Sequence, residues 1–217
     1  VPVFSRPPFA KLINCGSSPA TPEEPDLPKA APPRRAPIPL WRPLHQFPRH
    51  QRPTATLQDW LEHSGSLTAR LLQLSQGQFA VKIVRQVIGI PALNERKTLR
   101  MSRPVRSLIR EVILCGRGKP WVFARSVLPL TSLTGSLRHL RQQDTRPLGA
   151  FLFSQPQLVR SAIEVAPITL DHGYVPPRLC GEQSLWGRRS VFYLHTKPLL
   201  VSEVFLPDFV SYLRDSL

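Results

Sequence analysis

A chain of 217 residues with 25 prolines and a formal net charge of +15 has room for one domain with an appendage, or for two small ones. The charge suits a nucleic acid, an acidic surface or a small anionic ligand. It is spread along the chain with no dense Lys/Arg block, so it does not mark a nucleic-acid-binding arm. No apolar run reaches the roughly 18 residues of a membrane-spanning helix.

Prolines divide the chain. Fourteen of the 25 precede Thr54, in a segment poor in large aliphatics. Residues 1–53 are therefore expected to form a Pro-rich, disordered or partly polyproline II extension, with one domain over residues 54–217. Pro2, Pro7 and Pro8 interrupt the only apolar patch at the N-terminus, which argues against a signal peptide. Cys15, Cys115 and Cys180 are odd in number and lack metal-ligand spacing. A reducing, cytoplasmic setting is the expectation, with no metal and no cofactor.

The first element expected in the domain is a helix opening at Thr56, where T-L-Q-D has the spacing of a capping box and Leu57, Trp60 and Leu61 recur at helical intervals. Ser64-Gly65-Ser66 ends it and caps a second helix with Leu67, Leu71, Leu72 and Leu74 on one side. Gln78 to Ile88 alternates as a strand, with Phe79, Val81, Ile83 and Arg85 on one face. Pro91 to Met101 reads as a polar loop.

Pro104 to Leu130 reads as two strands joined at Gly116-Arg117-Gly118-Lys119. Period two puts Leu108, Arg110, Val112 and Leu114 on one face of the first. A short basic helix is expected from Thr131 to near Gln143, and a helical turn over Pro147 to Phe153. A fourth strand is expected from Gln157 to Val165, then a loop over Ala166 to Ser184. The last hairpin is Leu185 to His195 with Leu199 to Leu206, turning at Thr196-Lys197-Pro198, before a frayed helix from Asp208. The sum is an α+β fold, with about six mostly antiparallel strands and helices on one side.

Two residues break this pattern. Arg110 sits among aliphatic neighbours, and Glu203 does so on the face of Leu199, Val201 and Phe205. A buried guanidinium needs an anion. Either the two form a buried salt bridge, or they line an apolar pocket in which the Arg holds a ligand carboxylate and the Glu faces the far end. His139, His172 and His195 stand alone, and Arg188-Arg189 reads as a solvated face with one partnered side chain. No nucleophile elbow, dinucleotide fingerprint or Walker loop occurs.

The runs R-E-V-I-L-C-G-R-G-K-P-W-V-F-A-R-S-V-L-P-L-T-S-L from Arg110, R-P-L-G-A-F-L-F from Arg146, and L-W-G-R-R-S with K-P-L-L-V-S-E-V-F-L-P from Leu185 to Pro207 resemble bacterial chorismate pyruvate-lyase. The resemblance extends from about Leu57 to Pro207. It implies a cofactor-independent lyase that converts chorismate to 4-hydroxybenzoate and pyruvate in ubiquinone synthesis. By position it implies Arg110 and Glu203 as catalytic residues, and backbone contacts to substrate at Leu67 and Leu148 in helical flaps over an internal site. Arg85 and Arg125 are then candidates for the enolpyruvyl carboxylate. The expected partner is chorismate, bound by a monomer without nucleic acid or stable membrane insertion. A non-catalytic domain sensing small aromatic acids, and a basic nucleic-acid-binding module, are the alternatives.

Overall fold

The computed structural model describes residues 37–142, 146–181 and 184–215. Seven antiparallel strands make one sheet: β1 (Phe79–Gly89), β2 (Ser107–Gly116), β3 (Lys119–Pro129), β4 (Val159–Arg160), β5 (Glu164–Ile168), β6 (Leu185–Leu194) and β7 (Lys197–Phe205). The order is β1-β2-β3-β7-β6-β4, and β5 also pairs with β6. β4 meets Tyr193 and Phe192, whereas β5 meets Leu185 to Arg189, so the two continue one edge. The strand expected over Gln157 to Val165 is thus split, and its second half runs on to Ile168.

The central hairpin turns on Arg117 and Gly118, whose φ values of 52° and 76° give the left-handed pair that matches sheet twist. The last hairpin turns on His195 and Thr196, also at positive φ, so Lys197 and Pro198 belong to β7 rather than to the turn. β1 carries a bulge between Ile83 and Arg85. Before it, Val81 opposes Leu114, and after it Gln86 opposes Arg110 while Arg85 opposes Glu111. The extra residue reverses the phase, so Arg85 leaves the face it was expected to share with Val81.

Helices α1 (Ala55–Glu62), α2 (Leu67–Leu74), α4 (Leu148–Phe153) and α5 (Pro207–Asp215) belong to the face that carries Arg110. The N-cap of α1 is Thr54, two residues before the expected Thr56, and its side chain makes no capping bond. Burial of Leu57, Trp60 and Leu61 sets that helix instead. Ser66 caps α2 as expected, accepting from the Ala69 N–H at 3.2 Å, although Leu72 is exposed. α5 is packed rather than frayed, because Phe209 is fully buried and meets Phe205, Trp60 and Trp121.

On the second face lies α3 (Leu93–Thr98), which forms where a loop was expected. Its Glu95 accepts from the Ala92 N–H at 2.9 Å and from Arg125 Nε on β3 at 2.6 Å, so an ion pair rather than an apolar stripe holds the turn. Trp41, Leu44 and Phe47 are also buried, and Arg42 exchanges backbone hydrogen bonds with Val165. Residues 41–47 therefore pack on the domain, inside the extension expected to end at Pro53. Isolated large side chains seat an irregular segment there without any periodic signal. The rest of that extension, residues 1–36, lies outside the described residues.

Candidate active site

Period two along β2 and β7 aims Arg110 and Glu203 at the same side of the sheet, where α2 and α4 close over it. The cavity between them is lined by four of the residues singled out from the sequence: Leu67, Arg110, Leu148 and Glu203. Arg110 opposes Ser126, Ser126 opposes Val201, and Glu203 lies two residues along from Val201. Two strand spacings and two residues put the Cα atoms about 12 Å apart, which suits one six-membered ring with a hydrogen bond at each end.

Arg110 is 2% exposed, and its Nη2 donates to the Arg146 carbonyl at 3.5 Å, just ahead of α4. No ion pair joins it to Glu203. The partner of Glu203 is Arg188, directly opposite on β6, with Nε donating to Oε2 at 2.7 Å. Arg188 Nη1 also donates to the carbonyls of Trp60 and His63, at 3.0 and 2.8 Å, which ties the end of α1 to the sheet. Arg188 and Arg189 are both buried and both paired, the second with Glu164, against the expectation of a solvated face.

Leu67 and Leu148 are the first residues of α2 and α4. The opening N–H groups of a helix have no partner within it, so both positions offer backbone donors at the cavity wall. The two helices meet closely: a Cβ on Gly149 would lie 3.0 Å from Thr68 Oγ1. The rest of the wall is mostly apolar, including Val112, Leu152 and Phe192.

Arg85 and Arg125 are not in this cavity. The bulge turns Arg85 to the other face, where Arg125 bonds Glu95 and Glu111. Burial works against the Arg125 charge, but the hydrogen bond and charge of Glu95, with Glu111 behind it, raise its pKa overall. Among the described residues, the additional cations of the cavity are Arg188 and Arg160.

A family model described as chorismate lyase matches residues 40–214. The chain belongs to the chorismate lyase family. A protein of Azoarcus sp. (strain BH72) named Probable chorismate pyruvate-lyase is 41% identical over 82% of this chain and 95% of its own length. One of the same name from Coxiella burnetii (strain RSA 493 / Nine Mile phase I) is 36% identical over 77% and 91%. Among solved structures, the effector domain of PhnF from Mycobacterium smegmatis aligns with a TM-score of 0.46 at 17% identity, over 66% of this chain and 90% of that one.

Membership in the chorismate lyase family makes this chain an enzyme. No helix among the described residues is long and apolar enough to cross a membrane. Sequence reasoning missed Arg160 and Arg188 as lining residues of this lyase-family cavity. Arg188 had a usable signal, since period two from Trp186 places it on the inner face opposite Glu203. Arg160 had none, because β4 is two residues long.

Proposed function

We propose that this enzyme converts chorismate to 4-hydroxybenzoate and pyruvate in the cavity between the sheet and helices α2 and α4, as a cytoplasmic monomer at the first committed step of ubiquinone synthesis. The observation that carries the reading is that Arg110 and Glu203 line one cavity whose wall is otherwise mostly apolar, at a separation that suits one six-membered ring hydrogen-bonded at each end.

Arg110 takes the ring carboxylate by charge-assisted hydrogen bonds, with the Leu148 N–H as a second donor and the Leu67 backbone as a further contact. Glu203 receives the ring hydroxyl. Arg188 holds that carboxylate in place, so its orientation is set before substrate arrives. The ether C–O bond at the ring then breaks, and the neighbouring hydroxyl-bearing carbon gives up its hydrogen. The enolpyruvyl methylene gains a proton and becomes the methyl of pyruvate. The ring becomes aromatic, which supplies the driving force, so the enzyme's part is chiefly positioning. Glu203 acts on the hydroxyl-bearing carbon, either by assisting that proton's departure or by orienting the ether for direct transfer.

Purified protein incubated with chorismate should release 4-hydroxybenzoate and pyruvate in equal amounts. Binding of 4-hydroxybenzoate with no consumption of chorismate would instead mark a sensor of aromatic acids and overturn the enzymatic reading. A steep loss of ligand binding with salt would point to a polyanion site.

A further inference from the structure

Chorismate carries two carboxylates, and the reading above uses only the one on the ring. Among the described residues, three arginines and one glutamate line the cavity. Arg110 is assigned to the ring carboxylate. Arg188 is 1% exposed and committed to Glu203 and two carbonyls. Arg160 is different in kind.

Arg160 stands on the edge strand β4, opposite Phe192, with its guanidinium carbon 5.1 Å from the centre of that ring. Its Nε donates to Ser190 Oγ at 3.0 Å, and its Nη1 donates to the His63 and Ser64 carbonyls at 3.3 and 2.8 Å. Nη2 makes no hydrogen bond among the described residues, and no carboxylate there pairs with this side chain. Burial, reinforced by the positive charge of Arg188 and only partly offset by Glu203, pulls its pKa down to about 10. A guanidinium in that position is a partly desolvated cation whose three bonded acceptors are all neutral. A second anion beside it would relieve the cost of holding the charge there.

The place of Arg160 in the cavity also fits. Its Nη1 shares the His63 carbonyl with Nη1 of Arg188, the partner of Glu203, and its strand lies on the β6 side of the sheet, so it stands on the Glu203 side of the cavity, away from Arg110 on β2. In chorismate the enolpyruvyl ether is on the carbon adjacent to the hydroxyl-bearing one. With the hydroxyl at Glu203, the ether side chain leaves the ring at that end.

We infer that Arg160 binds the enolpyruvyl carboxylate of chorismate, which makes it the residue that distinguishes substrate from product. This deepens the reading of the cavity as a chorismate site and rests on it. 4-Hydroxybenzoate lacks the second carboxylate, so it has no use for Arg160, while both molecules need Arg110.

The test compares substrate and product in Arg160→Gln and Arg160→Lys, using 4-hydroxybenzoate as a competitive inhibitor. In Arg160→Gln the KM for chorismate should rise by about 10- to 100-fold, as expected for loss of a charge-assisted contact. The inhibition constant of 4-hydroxybenzoate should stay within about twofold. Arg160→Lys, which keeps the charge but cannot reach three carbonyl and hydroxyl acceptors, should recover part of the KM. Equal loss of affinity for substrate and product, with no rescue by Lys, would reduce Arg160 to a tether for the α1–α2 loop and overturn the inference. An unchanged KM would do the same. If the wild-type protein leaves chorismate untouched, the underlying reading fails and takes this inference with it. An active wild type with a parallel loss in the variants sinks the inference alone.

Discussion

Replacing Arg188 by Met removes the partner of Glu203 without opening a large cavity, since the two side chains share much of their aliphatic stem. Arg188 is 1% exposed, whereas the Glu203 side chain is 16% exposed. The substitution strands a carboxylate and leaves the Trp60 and His63 carbonyls without their donor. Breaking one side of a buried pair costs about 3–5 kcal/mol. Because Glu203 keeps some access to solvent, the lower end applies, and Arg188→Met should lose about 3 kcal/mol. For a domain of this size that lowers Tm by roughly 6–12 °C. Glu203→Gln keeps an acceptor for Arg188 and should cost only about 1 kcal/mol. The double variant Arg188→Met with Glu203→Met leaves no unpaired charge, and should be more stable than Arg188→Met alone. Urea unfolding followed by tryptophan fluorescence reads all three, with equal slopes as the check on two-state behaviour. A loss below about 1 kcal/mol in Arg188→Met, or a double variant no better than the single, would refute the view that this pair is a buried, mutually dependent unit.

Leu148→Pro removes a backbone donor at a position where a helix tolerates proline, and Pro147 already has a compatible extended conformation. The KM for chorismate should rise about 10-fold beyond that of Leu148→Ala, which controls for the side chain; parity between the two in steady-state kinetics would remove the Leu148 amide from the site. His63 has its pKa lowered from 6.5, first by burial and then by the charges of Arg70 and Arg188. Its contribution to stability is complete above pH 6.5 and declines as pH falls below that value, because the unfolded chain takes up the proton first. His63→Gln should therefore flatten the stability profile on the acid side, and denaturant midpoints with the same pH slope in both proteins would contradict this. His195 and Thr196 both hold positive φ without a glycine, which is costly for a β-branched side chain. His195→Asn with Thr196→Gly should stabilise the protein by about 1 kcal/mol in the same unfolding assay, and a loss would mean that the turn has another geometry.

The two charges that define the cavity were legible because each interrupts a strict two-residue alternation inside a strand of nine or ten residues. Long antiparallel strands in hairpins carry that signal well, while Leu148 entered through a family motif and Leu67 through the wider resemblance, which extends from about Leu57. Arg160 was not legible, since a two-residue strand has no period and its neighbour Val159 is exposed. Arg85 was misplaced by one bulge that no glycine or proline marks. α3 was missed because Glu95 is anchored by Arg125, 30 residues away in the chain, a contact that local pattern does not show. Trp41, Leu44 and Phe47 went unread for a related reason: single large side chains among prolines look like an unpacked tail until the surface that receives them is known.

The most direct test of the account is single-turnover conversion of chorismate by the wild-type protein and by Arg110→Ala and Glu203→Ala, with 4-hydroxybenzoate and pyruvate measured together. The account predicts equimolar products from the wild type, none detectable from Arg110→Ala, and a strongly reduced rate from Glu203→Ala with both variants folded. Undiminished conversion by either folded variant would contradict the assignment of the ring's two ends to Arg110 and Glu203.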